Sequence, residues 1–362
     1  MKNSFGTNIS MTLFGESHGP YIGITLDGLP AGFELDLASI QNDLNKRKAK
    51  NTLSTARREA DDFQIISGYF NGYTTGTPLT ILIANQSQNS KDYTQTQYML
   101  RPGHADFTAF EKYHGFQDYR GGGHFSGRLT ACIVAAGSIC RQILEKKGIL
   151  IGSHIEKLAS VAGGSFSSDL ETLENQIHEM NDMDFACLEN EEAMKNSILE
   201  ASKNQDSVGG IIETAILHVP SGLGEPFFDS MESTLSHLLF SIPAIKGVSF
   251  GDGFGIADLK GSQANDAFEM KDDSIQTKTN HNGGINGGIS NSMPIIIHTA
   301  IKPTPSIFQT QQTVNYQTKE EIDYSIQGRH DPCIVHRARV VIDCIVAFGI
   351  LDLLMSKRAV EL

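Results

Sequence analysis

The sequence predicts an α+β fold built as a layered sandwich. Strand-like runs and long amphipathic helices are both present, but they do not alternate in the strict βαβ order of a doubly wound parallel sheet. The 362 residues are 40% hydrophobic and 20% charged, enough to bury a large core. With no repeat and no Pro/Ser-rich linker to divide it, the chain 1–362 is expected to form a single domain.

Met11 to Phe14 is an apolar, strand-like run that feeds the turn Gly15-Glu16-Ser17-His18-Gly19, and Ile22–Leu26 follows as a strand. Further strands are expected at Phe63–Gly68, Leu79–Ala84, Gly210–Val219, Gly247–Phe250 and Pro294–Thr299, with shorter helices at Leu37–Lys48, Ala109–Tyr113 and Met231–Phe240. Ser126 to Lys147 places Leu129, Ile133, Ala136, Cys140, Ile143 and Leu144 on one helical face and stops at Gly148. A second long helix is expected from Pro332 to about Lys357, with Asp331 as its N-cap and Pro332 in the first helical position.

The net charge of −13 is concentrated rather than spread. Between Ser165 and Asp206 eleven acidic residues face only Lys195 and Lys203, a local balance of −9. Leu170, Leu173, Ile177 and Met180 recur there at helical spacing, so an acidic helical excursion at about 165–206 is expected to pack through one apolar face. The remainder is nearly neutral, with basic residues gathered at Lys46, Arg47, Lys48, Lys50, Arg57 and Arg58. Nucleic acid is a poor partner for such a chain, while a small anionic ligand suits it. No apolar run reaches the length of a membrane span and the first residues lack a secretory pattern, which makes the cytoplasm the expected location and a membrane partner unexpected. Cys132, Cys140, Cys187, Cys333 and Cys344 show no CxxC spacing, so they read as reduced core residues and no metal site is expected.

Three clusters carry chemistry: the Ser17-His18 turn between glycines, Arg101-Pro-Gly-His104-Ala-Asp106, and Gly328-Arg329-His330-Asp331-Pro332. A fourth, Arg120-Gly121-Gly122-Gly123-His124-Phe125-Ser126, precedes a helix, whose free N–H groups suit an anion such as phosphate. It lacks the Gly-Lys-Ser/Thr of a P-loop. Gly251–Gly255 and Gly283–Gly288 do not open a helix after a strand, which disfavours dinucleotide binding of the Rossmann kind.

Seven ordered blocks resemble the signature blocks of the chorismate synthase family: residues 15–32, 101–113, 120–138, 241–254, 282–291, 302–307 and 328–333. The resemblance spans nearly the whole chain and implies a β-α-β sandwich, a homotetramer and a lyase reaction. That reaction is the 1,4-elimination of phosphate from 5-enolpyruvylshikimate 3-phosphate with reduced FMN and no net redox change, the last common step of aromatic amino-acid biosynthesis. By resemblance, His18 protonates the departing phosphate, His104 protonates or polarises the reduced flavin, and Asp331 and Ser17 help restore its working state. Arg47, Arg101, Arg128 and Arg329 take the substrate or NADP phosphate contacts. Flavin contacts fall on His124, Phe125, Ser126, Pro243, Ala244, Gly287, Lys302, Pro303, Thr304, Pro305, Ser306 and Arg329. Both acid histidines are expected on polar loops, with bound anions keeping them charged. No nicotinamide fingerprint is visible, so reduced flavin is expected from an external flavin reductase.

The chain departs from the commonest family pattern in three places. Leu53 stands where Arg is common, His124-Phe125-Ser126-Gly127-Arg128-Leu129 replaces a block often written Arg-Ser-Ser-Ala-Arg-Glu, and Asp343 stands where Glu is common. A catalytically silent flavin- or anion-binding paralogue is the alternative, but the joint presence of His18, His104 and Asp331 disfavours it. A phosphotransferase would need a nucleotide loop and Mg²⁺ carboxylates in arrangements the sequence lacks.

Overall fold

Two five-stranded antiparallel sheets enclose a layer of helices in the computed structural model, which describes residues 2–49, 53–54, 60–86, 97–271, 273–325 and 331–360. The first sheet is made of β1 (Ser4–Phe5), β2 (Ser10–Gly15), β3 (Tyr21–Asp27), β4 (Phe63–Ser67) and β5 (Leu79–Ala84), in the order β1-β2-β3-β5-β4. The second holds β6 (Leu150–Leu158), β7 (Val161–Ala162), β8 (Gly210–Leu217), β9 (Ile245–Phe250) and β10 (Ile295–Ile301), in the order β9-β10-β8-β6-β7. Strict alternation of buried and half-buried residues along β5 and β10 shows each sheet giving one face to the interior. The α+β class and the layered sandwich are as the sequence predicts.

The longer helices are α1 (Leu37–Arg47), α2 (Asp106–Tyr113), α3 (Thr130–Glu145), α4 (Leu170–Asp182), α5 (Glu191–Lys203), α6 (Met231–Phe240) and α7 (Val335–Val360). In the middle layer α3 lies against β3 and β5, α7 lies against β6 and β8, and the two helices pack on one another. Their contact is tight at Gly137, where an added Cβ would sit 2.3 Å from the Cys344 carbonyl oxygen; only glycine fits there. One apolar cluster runs from Ile9 to Leu354 through both sheets and this layer. All five cysteines are buried and free, and burial pushes the thiols of Cys132, Cys140 and Cys333 up to about 12.

Two helix starts differ from expectation. Ser126 does not open an α-helix: it caps a 3₁₀ turn at Gly127–Leu129, its hydroxyl accepting from the Arg128 N–H, and the α-helix begins at Thr130. Asp331 is no N-cap and Pro332 is not helical, since α7 begins at Val335. The cause is competition for both residues: the Pro332 carbonyl accepts from the Val208 N–H at 2.9 Å, and the Asp331 carboxylate accepts from Arg337. The acidic excursion forms α4 and α5 as expected, burying Leu173, Ile177 and Met180. Leu170 departs from that face and is exposed.

Candidate active site

The turn after β2 is buried, which the sequence reading of polar loops does not anticipate. Ser17 is fully buried and His18 is 5% exposed. The Ser17 N–H donates to the Gly123 carbonyl at 3.0 Å, tying this turn to the glycine run. Gly121, Gly122 and Gly123 all take positive φ, and a Cβ on Gly121 would lie 2.4 Å from His18 Cδ2 and 3.2 Å from Ser17 Oγ. The glycines therefore serve to bring backbone against the His18 ring. His124 completes the cradle: its Nδ1 donates to the Gly15 carbonyl at 2.8 Å, leaving Nε2 as the acceptor in the neutral ring.

Beside this cradle lies a cavity of about 860 Å³. His104 and Asp331 line it, as do Arg47, Arg101 and Arg128. So do His124, Phe125, Ser126, Pro243 and Ala244, together with Lys302, Thr304, Pro305 and Ser306. Ser17 and His18 stand behind Gly121 rather than on its wall, and Gly287 and Pro303 are not among the lining residues. Arg329 lies outside the described residues, as do Lys50, Arg57 and Arg58 of the basic loop.

Each described arginine already holds a carboxylate. Arg47 donates from Nη2 to Asp61 Oδ2 at 2.9 Å and from Nη1 to Thr130 Oγ1 at 3.3 Å, while Arg128 pairs with the other oxygen of Asp61. Although burial opposes the ionised form, Arg47 and Arg128 hold the Asp61 carboxyl below its ordinary value. Arg128 also donates from Nε to Asn85 Oδ1 at 3.0 Å. Arg101 grips Asp106 with Nε at 2.8 Å and Nη2 at 2.7 Å, a bidentate pair that shapes the loop bearing His104. Lys302 fastens the same loop by donating to the Gly103 carbonyl at 2.7 Å, and its own N–H donates to the carbonyl of Ala244, which takes a strained φ of 77°.

His104 Nε2 lies 3.0 Å from Ser306 Oγ, bringing together two blocks far apart in sequence. Burial and the Arg101 cation pull this imidazole down to about 4, with Asp106 pulling up and Lys302 adding to the fall. Burial and the Arg101 and Lys302 cations thus outweigh Asp106 and oppose the charged ring, which an anionic ligand would favour.

The polar groups left over describe what would fit. Ser17 Oγ, Thr304 Oγ1 and Arg47 Nε are shut off from water and have no hydrogen-bond partner among the described residues. The Thr304 hydroxyl and the Arg47 N–H, on a lining that also holds apolar Phe125, Pro243 and Ala244 and a cluster of cations, suit a polar ring system carrying phosphate. No group of three or more His, Cys, Asp or Glu able to hold a metal ion occurs among the described residues.

Sequence reasoning missed Asp61, Asn85 and Arg337. Asp61 could have been suspected as an acid directly following the basic block, but its left-handed φ of 52° and its inward turn have no sequence signal. Arg337 escaped because a helix starting at Pro332 would leave it on a different turn from Asp331. Leu53 is buried in the core, and Asp343 accepts from Ser153 Oγ at 2.7 Å beneath Arg339, so these two departures are absorbed by packing.

Comparison with known proteins gives one answer. The family model described as chorismate synthase matches residues 9–355. A chorismate synthase from Pyrococcus abyssi is 44% identical over 359 residues, covering 99% of each chain. One from Thermococcus kodakarensis is 42% identical over 358 residues, covering 98% of each. A solved structure, "Crystal Structure of Chorismate Synthase", superposes with a TM-score of 0.77 at 28% identity over 98% of this chain and 93% of that one.

Proposed function

The chain belongs to the chorismate synthase family, and from that premise we propose that its 860 Å³ cavity converts 5-enolpyruvylshikimate 3-phosphate to chorismate by 1,4-elimination of phosphate, as a carbon–oxygen lyase that uses FMN in its reduced form. The observation that carries the proposal is the convergence on one cavity of His104, Asp331 and three arginines from four separate stretches of sequence.

Reduced flavin, when bound, supplies the electron-rich ring at which the substrate's hydrogen can be accepted. His124, Phe125 and Ser126 would hold it from one wall, Pro243 and Ala244 from another, and Lys302, Thr304, Pro305 and Ser306 from a third, with Arg329 added from outside the described residues. Arg47, Arg101 and Arg128 would hold the substrate's carboxylates and phosphate, each through guanidinium donors beyond those its carboxylate uses. A phosphate bound nearby would favour the charged form of His104, against the burial and the Arg101 cation that hold its imidazole down to about 4. His18, packed behind Gly121, would deliver a proton to the leaving phosphate past that side-chain-free stretch of wall. Asp331 and Ser17 return the site to its starting protonation.

The proposal includes a single domain over 1–362, a homotetramer and a cytoplasmic location with an external flavin reductase. The continuous apolar cluster supports the first, and exposed Phe227, Phe228 and Phe254 support further association. Among the described residues no helix is long and apolar enough to cross a membrane. The test is flavin absorbance: FMN should bind weakly alone and more tightly with the phosphorylated substrate, because both occupy one cavity. Unchanged FMN affinity would count against a shared site.

A further inference from the structure

Arg337, in the first turn of α7, reaches two walls of the cavity at once. Its Nη1 donates to Asp331 Oδ2, and its Nε donates to the main-chain carbonyl of Arg47 at 2.9 Å. Asp331 and Arg47 come from opposite ends of the chain, and both line the cavity. The Arg337 side chain is 18% exposed and that of Asp331 14%, so water does little to screen the pair. Because α7 begins four residues after Asp331, this carboxylate does not stand at the helix's N-cap; it accepts from Arg337 of the first turn. The carbonyl of Arg47 belongs to the last turn of α1, where the helix leaves its final carbonyls open, and Arg337 supplies the donor.

We propose that Arg337 is a positioning residue for the elimination: it fixes the Asp331 carboxylate and the last turn of α1 against one another, so that the acid–base group and the Arg47 guanidinium face the substrate as one unit. This rests on the reading of Asp331 as a catalytic group. Arg337 acts through two neighbours and need not touch the substrate. Its planar fork matters because the two acceptors lie in different directions. A lysine ammonium, carrying the same charge on a flexible stem, can hold the carboxylate but not both acceptors in fixed geometry.

A double-mutant cycle tests the proposal, using full-length protein, substrate and chemically reduced FMN without oxygen. Arg337→Gln should lower kcat about tenfold or more and shift the acid limb of the pH profile upward, since losing the neighbouring cation makes Asp331 easier to protonate. Arg337→Lys should recover part of kcat and return the acid limb toward its original position. In the Asp331→Asn background, Arg337→Gln should cost several-fold less than it does in the wild-type background, because one of the two groups it positions is gone. Thermal melts of every variant establish that folded protein is being compared, and the Lys variant carries the test if Arg337→Gln does not fold. Additive losses, or an acid limb that stays put in both Arg337 variants, would overturn the proposal while leaving Asp331 catalytic. Full turnover by Asp331→Asn would overturn the Asp331 assignment and this proposal with it.

Discussion

Arg47 Nη2 lies 2.9 Å from Asp61 Oδ2, and this contact sets the charge of one wall of the cavity. Asp61 has no side-chain exposure, and its other oxygen serves Arg128. One carboxylate thus keeps two guanidiniums close together without their repelling one another apart. Asp61→Asn should cost about 3–5 kcal/mol of stability, the usual result of breaking a buried ion pair. It should also raise KM for the phosphorylated substrate more than it lowers kcat, because the arginines lose their fixed spacing. Urea midpoints and steady-state kinetics check both; a variant with unchanged stability would show that the contact is incidental.

Gly121 stands against His18 as a wall without a side chain. Gly121→Ala adds a methyl 2.4 Å from His18 Cδ2 at a φ of 59°, so the ring must move and the backbone is strained. A stability loss of about 1 kcal/mol is expected, with turnover falling at least about tenfold through the displaced imidazole. If turnover holds while stability falls, His18 has no exacting position.

His18→Ala and His104→Ala should each reduce turnover by about 10²-fold or more, the scale of positioned acid catalysis. Their structural costs should differ. His18 is 5% exposed and its loss opens space behind Gly121, whereas His104 borders a cavity that already exists, so only the first variant should melt clearly lower. Near-normal rates in folded variants would remove both from the mechanism.

Acid sensitivity has a defined source. The imidazoles of His104 and His336 sit at about 4 and about 3 in the folded protein against an ordinary 6.5, burial being the largest cause in each case. Between those values the unfolded chain binds more protons than the folded one, so stability is full above pH 6.5 and is lost as pH falls toward 3. His336→Gln removes one titrating group and keeps a polar end toward Ser54, which lies 2.8 Å from His336 Nε2. Its stability should therefore fall less steeply with acid, by a difference on the order of 3 kcal/mol at pH 4. Parallel curves of urea midpoint against pH would contradict this.

Much of this organisation is legible in the sequence because it rests on local patterns. The alternation in Leu79–Ala84, the helical faces of α3 and α4, and the glycine run at 121–123 each announce themselves within a few residues. Long-range competition is harder to read. Asp331-Pro332 has the form of a helix start, but Val208, far away in sequence, claims the Pro332 carbonyl, and Arg337, inside the helix that follows, claims the Asp331 carboxylate. The same holds for the site: His104 and Lys302 stand out as residue types in Gly- and Pro-rich blocks, whereas the Ser306 contact with His104 exists only once β10 delivers the 302–306 segment to the 101–106 loop. Asp61 shows the limit most clearly, because its role depends on two arginines arriving from separate helical segments.

Anaerobic turnover by the purified chain tests the central claim most directly. Supplied with 5-enolpyruvylshikimate 3-phosphate and dithionite-reduced FMN, the protein should form chorismate and release one phosphate per chorismate, with the flavin still reduced at the end. With NADPH and FMN but no reductase it should form none, since the chain shows no nicotinamide-binding fingerprint. Folded protein that binds FMN yet releases no phosphate with the reduced flavin would contradict the account and leave the silent flavin-binding alternative in its place.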